Sequence, residues 1–147
     1  MRSTLAAGWG ILWALPYTLA GLAAGAAGLA SGGRMRYRDG AVEFYGGAAA
    51  WLVRHTPLGA STLAVTLGHV ILGQSAWALD ITRLHERVHV RQFMMWGPLM
   101  GPAYLASSAW MWAVGRCPYR DNYFERQAFA AEGGFPRDAR CPPPDDR

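Results

Sequence analysis

The residues with the clearest chemical potential lie in the segment His85-Glu86-Arg87-Val88-His89, an HExxH pattern. Residues four apart on a helix project from the same face, so both imidazoles can reach one tetrahedral metal ion, for which zinc (Zn2+) is the expected identity. Glu86 then points to the side, where a glutamate acts as general base on metal-bound water without being a ligand. The pattern therefore predicts zinc binding and hydrolysis. The alternative is that both histidines are ordinary polar groups on a helix surface.

A third protein ligand has to come from elsewhere in the chain. Gln92 and Met95 stand where the metzincin pattern has glycine and histidine, so that continuation is excluded. Glu125 is the best remaining candidate, because Asn122 can cap a helix and leave Glu125 in its first turn. The alternative is that Glu125 only interacts favourably with a helix dipole.

HExxH followed by a downstream glutamate in an ExxA-like context resembles the gluzincin zinc metallopeptidases, and the stretch HERVHVRQ resembles the HExxHxxQ form of small bacterial zincin-like proteins. The resemblance covers residues 61–132. It implies that zinc is bound by His85, His89 and Glu125. It also implies that Glu86 activates water.

The same resemblance implies that a β-strand edge, near residues 67–72, holds an extended peptide substrate. The chain departs from the family because it is short and has no obvious second lobe. It also has no certain donor for the transition state. The candidates are His69, Tyr119 and Tyr123, and a strand histidine such as His69 is more often a core or edge residue.

The element that must carry the motif is a helix over residues 81–95, for which Asp80 is the predicted N-cap. Its apolar residues recur at helical spacing and predict a buried stripe: Ile81, Leu84, Val88 and Met95. On this projection the two motif histidines flank the stripe at the edge of a cleft, and Arg83, Arg87 and Arg91 lie opposite. Gly97-Pro98 ends the helix.

Two β regions precede this helix. Residues 34–44 alternate between apolar and polar side chains around Asp39-Gly40, which predicts a hairpin with a tight turn. Residues 61–72 form a second β stretch, with Gly68 as a turn or bulge. Residues 48–54 fit either a short helix or a strand.

Two long segments carry no charge. Residues 5–30 are long enough to cross a bilayer, with a kink at Pro16, and predict an N-terminal transmembrane anchor. A cleaved signal peptide is the alternative. If residues 97–115 also spanned, Glu125 would emerge roughly 30 Å from His89 and could not share its metal. This second run is therefore expected to be a buried or membrane-dipping helix that folds back on the motif helix.

Composition limits the remaining possibilities. The chain has 147 residues and a net charge of +4, and its arginines are dispersed, so nucleic acid is an unlikely class of partner. Cys117 and Cys141 are too few for a disulfide scaffold; they could pair in an oxidising compartment or remain free thiols. Residues 133–147 are rich in proline and predict a loose tail.

Together these observations predict an α+β fold: a short antiparallel sheet packed on a helical hairpin that carries HExxH, preceded by a transmembrane helix. The expected organisation is an anchor over residues 1–32, a zincin-like domain over 33–132 and the tail. The expected function is a membrane-anchored zinc hydrolase, most plausibly a peptidase, at a bacterial inner membrane, with membrane lipid and a peptide as partners. The balance of arginines slightly favours a cytoplasmic body. The alternatives are a structural zinc site in an interaction module, and an integral membrane protein without metal.

Overall fold

The computed structural model describes residues 2–56 and 62–134, which form an α+β fold around a four-stranded sheet. The α-helices are α1 (Arg2–Trp13), α2 (Leu15–Ala30), α3 (Gly47–Arg54), α4 (Ala76–Ile81), α5 (Arg83–Trp96), α6 (Met100–Ala113) and α7 (Tyr123–Ala131). The strands are β1 (Arg34–Arg38), β2 (Ala41–Tyr45), β3 (Ala64–Leu67) and β4 (Val70–Gly73). Cys141, on which the choice between a Cys117–Cys141 disulfide and two free thiols depends, and the tail from residue 135 onward fall outside the described residues.

The sheet combines two hairpins in the strand order β1-β2-β4-β3. The β1–β2 turn uses Asp39 and Gly40 at φ values of 51° and 85°, which confirms the tight turn predicted there. Gly68, at φ 63°, turns β3 into β4, as expected. The hairpins meet where β2 and β4 pair in parallel. The predicted antiparallel sheet is therefore wrong. β3 lies at the edge of the sheet, and β4 lies between β3 and β2 and runs parallel to β2.

Alternating strand side chains supply two apolar layers. Val70 and Leu72 pack towards α2 and α3 on one face of the sheet, and Ile71 packs against Leu79 of α4 on the other. A third cluster joins the α1–α2 junction to α5, α6 and α7, and it contains Ala14, Phe93, Met100 and Phe124. Since α5 also contacts β3, the motif helix lies between the sheet and α7.

The first apolar run does not form the predicted transmembrane helix. It is divided at Ala14, just before Pro16, into α1 and α2, because a proline cannot supply the backbone donor that continues a helix. Across the described ranges, no helix has both the length and the apolar character needed to cross a membrane. The inner side of α2 is instead made of glycines, and a Cβ added at Gly25 would stand 2.3 Å from the Phe44 ring.

The motif helix begins at Arg83, and Asp80 is not its N-cap. Asp80 lies in α4, which is capped by Ser75, and its carboxylate is bound by Arg36, Arg38 and Arg83. A carboxylate engaged by three guanidinium groups is not available to cap a helix.

The predicted orientation of this helix is also wrong. Leu84 and Met95, assigned to the buried stripe, are 56% and 75% exposed, whereas His85, Glu86 and His89 are buried. The polar motif faces inward because α7 packs along this side of α5 and supplies partners for it.

The segment after the motif helix returns the chain to the metal motif. Gly97, at φ 51°, ends α5, and α6 leads away with only Met100 fully buried. Asn122 caps α7 by accepting a hydrogen bond from the Phe124 amide, as predicted. Glu125 consequently lies in the first turn of α7 and faces α5.

Candidate metal centre

Three side chains from two helices converge inside the protein. Nε2 of His85 lies 3.1 Å from Nε2 of His89 and 3.1 Å from Oε2 of Glu125. His89 Nε2 lies 3.5 Å from the other Glu125 oxygen, Oε1. The candidate ligand atoms of all three residues lie within 4.8 Å of one another, and all three residues are buried. This group could hold a metal ion.

Gln92 determines which nitrogen of His89 faces the cluster. The Gln92 amide nitrogen donates to the Phe124 carbonyl and to Gln127 Oε1, both at 3.0 Å. The amide oxygen therefore faces His89 Nδ1, at 2.8 Å, and an amide oxygen only accepts. His89 Nδ1 must carry a proton, so the neutral imidazole presents a lone pair at Nε2. That is the state a metal ligand requires.

The other two groups also direct acceptor atoms to the same point. Nδ1 of His85 lies 3.5 Å from Oε2 of Glu132, a second carboxylate that orients the ring in the same sense. Tyr104 donates a hydrogen bond of 2.8 Å to Oε1 of Glu125. Oε2 of Glu125 is buried and has no hydrogen bond of proper geometry from any described residue. An orphaned carboxylate oxygen facing two imidazole lone pairs fits a bound cation.

The pKa shifts of the clustered residues also fit a site that binds a cation. Burial opposes protonation of His89, but the Glu125 and Glu86 carboxylates outweigh it and raise the pKa of His89 to about 9. Burial would raise the pKa of Glu125, but the two imidazoles hold it well below its usual range. Burial, together with Glu125, raises the pKa of Tyr104, which keeps its hydroxyl protonated as a donor. The centre is therefore a buried anionic site that attracts positive charge.

Glu86 is buried beside the three converging groups but is oriented differently. Its Oε2 accepts a 2.6 Å hydrogen bond from the Thr66 hydroxyl on β3. Its Oε1 has no hydrogen bond to any described residue. One oxygen is thus fixed and the other is left for a proton, which suits a general base.

A cavity of about 250 Å³ adjoins the cluster. His85, Glu86, His89 and Glu125 line one part of it, and the remaining walls are mainly apolar side chains of α2, β3, α5 and α6. Tyr17 of α2 is among them, so the segment predicted to be an anchor forms part of the cavity wall.

The predicted transition-state donors lie in three different places. Tyr119 lines the cavity together with the cluster. His69 does not line it; its backbone amide donates to Thr18 on α2, and burial lowers its pKa. Tyr123 is 55% exposed and packs its ring on Phe124. Of the three, the structure brings only Tyr119 to the site.

The predicted substrate edge also has to be corrected. Residues 67–72 include most of β4, but β4 lies between β2 and β3 and is paired on both sides. The edge strand next to β4 is β3, and its residues Ala64–Leu67 line the cavity. Which strand lies at the edge depends on how the two hairpins pair, and a local sequence pattern does not specify that pairing.

Sequence reasoning missed three residues that support the site: Gln92, Thr66 and Tyr104. The sequence does indicate a role for Gln92, because a glutamine three residues after His89 lies on the same helical face and can reach the His89 ring. Thr66 and Tyr104 approach from other elements, 20 and 21 residues away from the groups they bind.

No family model matches the chain, and neither a curated protein nor a solved structure matches it.

Proposed function

We propose that this protein is a zinc-dependent hydrolase that cleaves peptide bonds. His85, His89 and Glu125 hold the metal, and Glu86 is the general base. The observation that carries the proposal is the orientation of four buried side chains: three present acceptor atoms to one point, while Glu86 is held beside them by Thr66.

The donor set favours zinc over other common cations. Two imidazole nitrogens and one carboxylate form a three-ligand set typical of catalytic zinc sites, whereas magnesium and calcium prefer oxygen ligands alone. When bound, zinc supplies a Lewis acid that polarises the reacting oxygen atoms. The resemblance to gluzincins in sequence supports the same assignment.

The protein's own groups account for the proton transfers of hydrolysis. Glu86 Oε1 takes a proton from the attacking water and passes it to the amine that leaves as the C–N bond breaks. Thr66 holds the other oxygen of Glu86, so the carboxylate does not turn away from the cavity. The Tyr119 hydroxyl is the group we expect to stabilise the oxyanion.

The outer edge of the sheet supports an extended peptide as substrate. β3 pairs with β4 on one side, and no other described strand pairs with it on the other. An extended peptide can add to such an edge through backbone hydrogen bonds. Because Ala64–Leu67 line the cavity, a peptide on this edge would pass beside the metal ligands.

The burial of the site favours a second candidate, a structural zinc site in a protein that acts by binding. His85, His89 and Glu125 are 6%, 9% and 3% exposed, and a structural site is closed to water. The two functions differ at Glu86, because a structural site makes no use of a free carboxylate.

Glu86→Gln separates the candidates. Metal content is measured by mass spectrometry and cleavage by a library of fluorogenic peptides. We expect roughly one zinc per chain in the wild type and in Glu86→Gln, with cleavage lost only in the variant. Asp39→Asn is the matched control and should retain cleavage, because Asp39 pairs with Arg83 and Arg87 and does not line the cavity. Zinc in both proteins and cleavage in neither would support the structural site; no zinc in the wild type would refute both candidates.

A further inference from the structure

The helix α6 has an unusual surface for a helix on the outside of a protein. It contains no charged residue between Met100 and Ala113, and Leu105, Trp110 and Trp112 are 69%, 64% and 74% exposed. A helix exposed to water normally has a polar outer face, whereas a helix that is apolar all round is buried. The outer side of α6 is therefore expected to have an apolar cover.

The fold itself uses only one side of α6. Met100 and Tyr104 enter the core cluster next to α5 and α7. One turn after Tyr104, the Ser107 hydroxyl accepts a hydrogen bond from the Tyr123 amide, and the Ser108 hydroxyl accepts one from the Asn122 side chain. These four residues follow helical spacing and define the inner side, so the leucine and the two tryptophans named above are left outside it.

The outer side of α1 and α2 has the same character and adjoins the beginning of α6. Residues 3–33 carry no charge, and Trp9 and Leu12 are 66% and 64% exposed. The Gly101 amide of α6 donates to the Tyr17 hydroxyl of α2, which joins the two regions. We refer to their exposed apolar residues as the apolar surface: Trp9, Leu12, Leu99, Leu105, Trp110 and Trp112.

Two exposed arginines lie close along the chain to exposed apolar residues. Arg116 follows α6 by three residues, and Arg91 lies one turn before the exposed Met95. Both arginines are exposed, and neither forms an ion pair with any described residue. Their charges are therefore available to an anionic partner.

We infer that the apolar surface inserts into one leaflet of an anionic lipid bilayer, with Arg91 and Arg116 contacting lipid phosphates. Tryptophans concentrate at the boundary between lipid and water. A helix of 14 residues rises roughly 21 Å, less than the hydrocarbon thickness of about 30 Å, so α6 lies along the membrane and does not cross it. Charge complementarity favours an anionic bilayer over a second copy of this chain, because a second copy would bring the same two arginines to the contact.

The inserted surface is continuous with the cavity of the candidate metal centre. Leu105 belongs to both, since it lines the cavity and is 69% exposed. A substrate held at the membrane would therefore reach the cavity beside α6 without crossing open water. The membrane inference does not depend on catalysis and can hold if the zinc is structural.

The test is flotation of the full chain with vesicles of phosphatidylcholine and phosphatidylglycerol in a three-to-one ratio. We expect the wild type to float with the vesicles and Trp110→Glu/Trp112→Glu to lose binding by about tenfold or more. The matched control is Trp51→Glu/Trp77→Glu, which changes two tryptophans that are 58% and 65% exposed on α3 and α4. It should bind like the wild type.

A second pair of variants tests the charges. Arg91→Gln and Arg116→Gln should each lower binding to the anionic vesicles by about fivefold and leave binding to pure phosphatidylcholine unchanged. Circular dichroism and zinc content show whether each variant is folded. The inference is overturned if the wild type does not float, or if the α6 variant floats as well as its control. It is also overturned if that variant only converts an oligomer to a monomer in light scattering, because a second copy would then cover the surface.

Discussion

Two clusters of charged residues in this protein differ in how their charges are balanced. On the outside of the sheet, four arginines interleave with three carboxylates: Arg36, Arg38, Arg83 and Arg87 with Asp39, Glu43 and Asp80. In the candidate metal centre, Glu86 and Glu125 lie beside two imidazoles, and no arginine of residues 2–56 and 62–134 lines the adjoining cavity.

The difference indicates which of the two clusters could hold a further ion. Each carboxylate of the outer cluster has a guanidinium partner, so that cluster is complete without a ligand. In the inner cluster, Glu125 Oε2 is buried without a hydrogen bond, and burial makes an unpartnered charge costly. Only the inner cluster is therefore expected to respond when metal is removed.

The largest expected effect comes from removing the carboxylate that completes the inner cluster. Glu125→Ala should abolish stoichiometric zinc binding, because two imidazoles alone do not make a closed protein ligand set. The matched control is Glu132→Ala, which removes a half-buried carboxylate 3.5 Å from the other nitrogen of His85. Zinc content after dialysis measures both. Equal zinc in the two variants would contradict the assignment of Glu125 as a ligand.

A smaller effect is expected at Gln92. Gln92→Leu removes the acceptor that holds the proton on His89 Nδ1, so we expect zinc affinity to fall by about 10- to 100-fold with the stoichiometry unchanged. Competition with a chromophoric chelator measures the dissociation constant. The control is Gln74→Leu, which lies far along the chain and whose amide binds the Thr62 carbonyl. If affinity is unchanged in Gln92→Leu, the tautomer is not set by this contact.

The two histidines and the local turns could be predicted from sequence because both depend on short spacings. His85 and His89 are one helical turn apart, and Asp39-Gly40 specifies its turn through positive φ angles. The assignment of Glu125 joins residues 36 positions apart, and it depends on the exclusion of the metzincin continuation and on the cap at Asn122. The histidine pair, the turn and the cap need only residues close together in the chain.

The orientation of α5 could not be predicted in the same way. Apolar periodicity places Leu84 and Met95 inside, but both are exposed, because the polar motif faces α7. Periodicity assumes that the apolar side of a helix is the buried side. That assumption fails when the interior contains a polar site.

Metal binding should also depend on pH in the inner cluster. The pKa of His89 is raised to about 9, so at pH 7.5 this ring is protonated until metal displaces the proton. Between pH 6.5 and 8.5, we expect zinc affinity to rise by about tenfold per pH unit as competition from one proton weakens. Chelator competition at three pH values measures the slope. A flat profile would mean that His89 is already neutral without metal.

The smallest expected effect belongs to the outer cluster. Asp80→Asn removes a carboxylate that is about half exposed and whose pKa is lowered chiefly by Arg36. Arg36 keeps Glu43 and Arg83 keeps Asp39 as a partner, while the half-exposed Arg38 loses Asp80, so we expect only a small decrease in the midpoint of thermal unfolding and no change in zinc content. Exposed ion pairs are screened by salt, so the wild type and the variant should converge in 1 M sodium chloride. Loss of zinc from Asp80→Asn would show that the two clusters are coupled through α5. An unchanged zinc content would mean that they form independently on opposite sides of that helix.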